Sequence, residues 1–181
     1  MTEQNNPQSG SNVKHEQPSK LASDLSPGVD DSNLQQVAEK SVSQNVGYRA
    51  LIVDDNVAFL KLLSFSLSML PQIGVIDCAE SGENAIEKAE ATQYDLIFMD
   101  AMMPGIDGYE ACTRLRENPG YKNTPIIMVS GLTSPLEEIK GIIAGSTTYI
   151  TKPVQQEPFK ELVTRVLVWL EYKKTSDDSF N

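Results

Sequence analysis

The chain has 181 residues and a formal net charge of −10, with a sequence pI near 4.5. That excess of carboxylates speaks against a sequence-independent grip on nucleic-acid phosphates, and no segment reaches the roughly 18 consecutive apolar residues of a membrane span. The length suits one domain with spare tails, large enough to bury a core without disulfides or a structural metal.

Residues 1–47 are rich in Ser, Gln, Asn and Pro, and they contain no aromatic residue. Such a segment cannot offset its own ordering entropy, so it is expected to be a disordered polar tail. Its first residues, MTEQNNPQSG, lack a basic-then-apolar signal pattern, which makes the cytoplasm the expected location. From residue 48 the pattern changes. An apolar run, RALIVD at 49–54, reads as a strand and ends in Asp54 and Asp55. The helical stretch after it can turn Leu60, Leu63, Leu67 and Leu70 to a core, while Leu62, Phe65 and Met69 form a second apolar stripe on another side. A second strand, IGVIDCA at 73–79, and a third, DLIFMD at 95–100, follow with a helix between them. Asp107 precedes Gly108 and a helical stretch, so it reads as an N-cap.

The fourth strand, PIIMVS at 125–130, ends in Ser130. Ser134, Pro135 and Glu137 then make a capping-box start for a helix that Gly145 closes. A short fifth strand, TTYI at 147–150, leads to Lys152. The last helix, from about Gln156 to Lys173, places Phe159, Leu162, Val163, Val166 and Leu170 on one side, with Val168, Trp169 and Tyr172 off that side as a candidate dimer or target surface. Residues 174–181 are expected to be a flexible C-terminal tail. Near-continuous apolarity marks strands covered on both faces, and five strand–helix units with right-handed crossovers make an α/β doubly wound parallel sheet in a three-layer sandwich. The domain is therefore expected over 48–173. Cys78 and Cys112 lack the close spacing of thiolate metal sites and read as reduced, buried side chains.

In such a sheet ligands bind at the carboxyl ends of the strands. Asp54, Asp55, Asp100, Ser130 and Lys152 all fall there. Three neighbouring carboxylates resist ionising together unless a divalent cation or the lysine offsets their charge. Oxygen ligands suit a hard ion, Mg²⁺ or Mn²⁺, and the one histidine, His15, lies in the tail, which argues against zinc. A metal and an ammonium around a carboxylate suit a phosphoryl group, and Asp100, heading the central strand of a sheet of order 2-1-3-4-5, is best placed to act as its nucleophile.

These residues resemble the receiver domains of two-component response regulators, with their flavodoxin-like fold. The likeness covers roughly residues 48–173 and rests on VDD at 53–55, MDAMMPGIDG at 99–108, VSG at 129–131 and YITKP at 149–153. The intervals from Asp100 to Ser130 and from Ser130 to Lys152 agree as well. The resemblance implies Asp100 as phosphoacceptor, with Asp54, Asp55, Asp100 and the Met102 carbonyl around Mg²⁺. Ser130 and Lys152 would engage the phosphoryl oxygens, and the Lys152–Pro153 bond would be cis. It also implies a switch in which Ser130 and Tyr149 move inward and remodel the fourth helix, fifth strand and fifth helix, a surface read by a partner protein or by a second copy. The donor would be a histidine kinase or histidine-phosphotransfer protein, for which the Leu62–Phe65–Met69 stripe is a candidate dock. Met102 and Leu132, two positions beyond the acceptor and the hydroxyl, cannot hydrogen-bond a water, which implies slow dephosphorylation.

On this reading the chain is not an enzyme beyond its own phosphorylation and dephosphorylation, acts through protein contacts and carries no output domain. Three alternatives compete with it. A haloacid-dehalogenase-type hydrolase would want an acid where Met102 stands, and a flavodoxin would want Ser, Thr and Gly amides where DDNVAF follows the first strand. A phosphorylation-independent binding module is the strongest rival.

Overall fold

A computed structural model of the chain describes residues 47–131 and 134–178. The expected tail at 1–47 lies, apart from Gly47, outside the described residues, as does Leu132. Strand β1 (Tyr48–Val53) leads to helix α1 (Val57–Ser68), β2 (Ile73–Ala79), α2 (Gly82–Ala91) and β3 (Leu96–Asp100). Helix α3 (Gly108–Glu117) and a 3₁₀ turn at Pro119–Tyr121 precede β4 (Ile126–Ser130), α4 (Pro135–Ile143), β5 (Thr148–Thr151) and α5 (Gln156–Asp178). The strands form one parallel sheet in the order β2-β1-β3-β4-β5, as expected from the sequence.

Period-two alternation divides each apolar run between two cores. Leu51, Val53, Ile97, Met99, Ile126 and Met128 face one, which α2 and α3 close with Ala85, Ala89, Ala111, Cys112 and Leu115. Ala50, Ile52, Leu96, Phe98, Ile127 and Val129 face the other, closed by Leu60, Leu63 and Leu67 of α1 and Phe159, Val163 and Leu167 of α5. Burial on both faces is the physical reason the strands read as unbroken apolar segments. Full burial of each such Leu, Ile or Phe contributes roughly 1.5–3 kcal/mol. The core stripe of α1 is as expected. On α5, Leu167, not singled out above, completes the central row at a spacing of four, while Leu162, Val166 and Leu170 flank it half-buried.

The helix starts are chemically explicit. Asn56, Ser81, Asp107 and Ser134 each accept backbone N–H bonds at the N-caps of α1 to α4. Asp107 accepts from Glu110 N at 2.8 Å, which accounts for that acid. Gly105 has φ +76°, a left-handed conformation open to glycine, and a β-carbon at Gly108 would stand 2.0 Å from the Asp100 carbonyl oxygen. The end of α5 differs from expectation. The helix runs past Lys173 to Asp178, with the Thr175 and Ser176 hydroxyls donating to the Tyr172 carbonyl instead of breaking the helix. Both cysteines are free, Cys112 buried and Cys78 half-buried. Among the described residues no helix is long and apolar enough to cross a membrane.

Candidate functional site

The carboxyl ends of β1, β3, β4 and β5 lie side by side, so their terminal residues meet by construction. Val53 pairs with Met99, Asp100 with Val129, and Ser130 with Thr151. Asp54 is 1% exposed, and its place is fixed three ways. Its N–H donates to the Ala79 carbonyl at 3.0 Å. Its Oδ1 accepts from Asn56 N at 2.9 Å, and its Oδ2 accepts from Lys152 Nζ at 2.6 Å. Asp100 is 5% exposed, and its Oδ1 accepts from the same ammonium at 3.0 Å. Asp55 is exposed. Carboxylate oxygens of Asp54, Asp55 and Asp100 lie within 4.8 Å of one another.

Lys152 is positioned by backbone as well as charge. Its N–H donates to the Ser130 carbonyl at 2.7 Å, which ties the fourth and fifth strand ends together, and the Lys152–Pro153 bond is cis as expected. Ser130 is fully buried. The ammonium also lies 4.3 Å from the Phe59 ring centroid, a cation–π contact from the first turn of α1. Nothing in the sequence singled out Phe59. The available signal was its place one helical turn beyond the Asp54–Asp55 pair.

Electrostatics follow from this packing. Burial pushes the Asp100 carboxyl above its ordinary pKa; the Lys152 hydrogen bond and charge oppose that shift, and the charges of Asp54 and Asp55 add to it. Lys152 is also raised: burial works against its charge, but hydrogen bonds to Asp54 and Asp100 outweigh it. One ammonium facing three acids leaves the rim short of positive charge. A donor set made only of carboxylate oxygens, partly open through Asp55, fits a hard divalent cation and not a thiophilic one.

Tyr149 is half-buried and packs against the α2–α3 core. Met102 follows β3 and is 56% exposed. The structure thus brings Asp54, Asp55, Asp100, Ser130 and Lys152 to one rim and sets Tyr149 in β5, three positions before the lysine. The α1 stripe of Leu62, Phe65 and Met69 is exposed, as are Val168, Trp169 and Tyr172 on α5. Leu136, Ile139, Ile142 and Ile143 on α4 are exposed as well and were not anticipated.

Comparison with known proteins gives the same picture. The family model described as the response regulator receiver domain matches residues 50–164. Protein PilG of Pseudomonas aeruginosa is 33% identical over 115 residues, 63% of this chain and 83% of its own length. Several other curated relatives are longer, the match spanning 51% of one and 12% of another. The chemotaxis protein CheY4 of Vibrio cholerae superposes with a TM-score of 0.62 at 30% identity, covering 66% of this chain and 98% of that one. The receiver domain of the sensor histidine kinase PA1611 of Pseudomonas aeruginosa, solved with a magnesium ion coordinated in its active-site cleft, gives 0.60 at 26% identity, covering 67% and 98%. With its sheet order, its strand-end acids and these matches, the chain belongs to the response regulator receiver domains, the phosphoryl-accepting signalling modules of two-component systems.

Proposed function

We propose that Asp100 accepts a phosphoryl group from a phosphohistidine of a histidine kinase or phosphotransfer protein, and that the resulting acyl phosphate changes the surface formed by α4, β5 and α5. The observation that carries this reading is the shared ammonium: Lys152 bridges Asp54 at 2.6 Å and Asp100 at 3.0 Å at the one rim where all three strand-end acids meet.

In this mechanism an Asp100 oxygen attacks phosphorus, the P–N bond to the partner's imidazole breaks with its electron pair going to nitrogen, and a C–O–P linkage forms. Asp54, Asp55, Asp100 and the Met102 carbonyl would hold Mg²⁺, which when bound supplies positive charge to the phosphoryl oxygens. Lys152 supplies a second cation there and Ser130 a hydroxyl donor. Tyr149 would follow Ser130 inward, two arrangements a few kcal/mol apart being enough for a switch.

Receiver domains interact with histidine kinases and phosphotransfer proteins, and the dock proposed here is the exposed Leu62–Phe65–Met69 stripe of α1. The apolar residues of α4, with Val168, Trp169 and Tyr172 of α5, would contact the downstream protein or a second copy. Because neither Met102 nor Leu132 can hold an attacking water, the acyl phosphate is expected to outlast minutes, and a half-life of seconds at neutral pH contradicts that. Acetyl phosphate with Mg²⁺, followed by intact mass measurement, tests the whole reading. Wild type should gain one phosphate and Asp100→Asn none; folded wild type that gains none leaves only a phosphorylation-independent binding module on this fold.

A further inference from the structure

Tyr109 lies in the first turn of α3, Glu137 in the first turn of α4 and Tyr149 in β5, so no sequence interval links them. The Tyr109 hydroxyl donates to Glu137 Oε2 at 2.8 Å and stands 3.4 Å from the Glu137 carbonyl oxygen. The other carboxylate oxygen, Oε1, accepts from Lys140 Nζ at 2.8 Å. The Tyr149 ring lies beneath α4 at Gly141, where an added β-carbon would stand 3.5 Å from a ring carbon and 3.5 Å from the Met128 side chain. At the far end of α4, Arg116 of α3 donates to the Gly145 carbonyl at 2.8 Å. Helix α3 therefore holds both ends of the segment that the switch would move.

We propose that Tyr109 is a positioning residue of that switch: its tie to Glu137 holds the first turn of α4 down over the Tyr149 ring, so the inward arrangement is largely formed before a phosphoryl group arrives. The role rests on the receiver reading given above. Linkage then sets its consequence, because a ligand that binds one arrangement binds more weakly when that arrangement is less populated. Removing that tie lowers the inward fraction and slows phosphoryl uptake without touching any residue at the acidic rim.

Hydrogen exchange over residues 135–151, with and without beryllofluoride and Mg²⁺, tests this on the full chain. Tyr109→Phe and Glu137→Gln should each exchange about fivefold or more faster there in the ligand-free protein, with α1 unchanged, and the double variant should add little to either single one. Beryllofluoride should restore the lost protection, and acetyl phosphate should label both variants about fivefold more slowly than wild type. Ligand-free exchange equal to wild type in both variants overturns the proposed tie. Protection lost but not restored by beryllofluoride overturns the positioning role and leaves a packing contact. Wild type that takes up neither beryllofluoride nor phosphate overturns the receiver reading itself, and does so separately from the ligand-free exchange result.

Discussion

At the rim where the strands begin, the buried Tyr121 hydroxyl donates to the Thr92 carbonyl at 2.6 Å, stands 3.0 Å from the Ala89 carbonyl oxygen and accepts from Tyr94 N at 3.2 Å. Tyr94 in turn donates to Asp77 at 3.0 Å, and Asp95 accepts from Arg49 N at 2.7 Å. At the rim where the strands end, Asp54 and Asp100 share one ammonium, with Asp55 beside them. One sheet thus has a rim whose polar groups satisfy one another and a rim whose charges need something from outside. The first closes the fold; the second leaves it able to take a cation and a phosphoryl group.

The largest effect should come from breaking the charged rim. Lys152→Met strands two buried carboxylates and should cost about 2–4 kcal/mol in urea unfolding without Mg²⁺, a range discounted for the partial exposure of the lysine. Much of that loss should return on adding Mg²⁺. At the opposite rim, Tyr121→Phe leaves a buried N–H and two carbonyls with fewer partners and should cost about 1–2 kcal/mol. Its phosphorylation by acetyl phosphate should match wild type, since nothing at the acidic rim changes. Asp55→Asn should do the reverse of both: removing a like charge should stabilise the Mg²⁺-free protein by less than about 1 kcal/mol and abolish the rise in melting temperature with Mg²⁺.

The smallest contrast is a matter of pH. Burial and the hydrogen bond to Asp77 push Tyr94 from 10.0 up to about 12. The folded state therefore keeps this proton longer than the unfolded chain does, and the associated stability is present below about pH 10 and lost as pH rises toward about 12. Unfolding measured from pH 9 to 12 should show a shallower decline for Tyr94→Phe than for wild type.

What the sequence discloses is unequal at the two rims. The charged rim is legible because carboxylates after an unbroken apolar run have no other economical place, and five strands in one order bring Asp54, Asp55, Asp100, Ser130 and Lys152 together. The exposed stripe of α1 is legible for a similar reason: helical spacing separates Leu62, Phe65 and Met69 from the core leucines. The closed rim is not legible, since Tyr121 reads as one more core aromatic until the Ala89 and Thr92 carbonyls are seen ending beside it. Phe59 over Lys152 and the Tyr109–Glu137 contact depend on side chains from separate elements, and helical or strand periodicity carries no information about such meetings. Glu137 shows the conflict directly: its spacing from Ser134 signals a capping box, and the Ser134 hydroxyl does accept from Glu137 N at 3.4 Å, yet its carboxylate is taken by Tyr109 and Lys140. The length of α5 is hidden because Thr175 and Ser176 read as helix breakers until their hydroxyls are seen bonded one turn back.

The most direct test of the charge-deficient rim is to locate the phosphorus. Borohydride reduces an acyl phosphate to an alcohol, so treatment of protein incubated with acetyl phosphate and Mg²⁺, followed by peptide mapping, marks the acceptor. Conversion of Asp100 alone to the alcohol, dependent on Mg²⁺ and lost in Asp55→Asn, is the predicted result. Reduction at another carboxylate, or none at all in folded wild type, contradicts it.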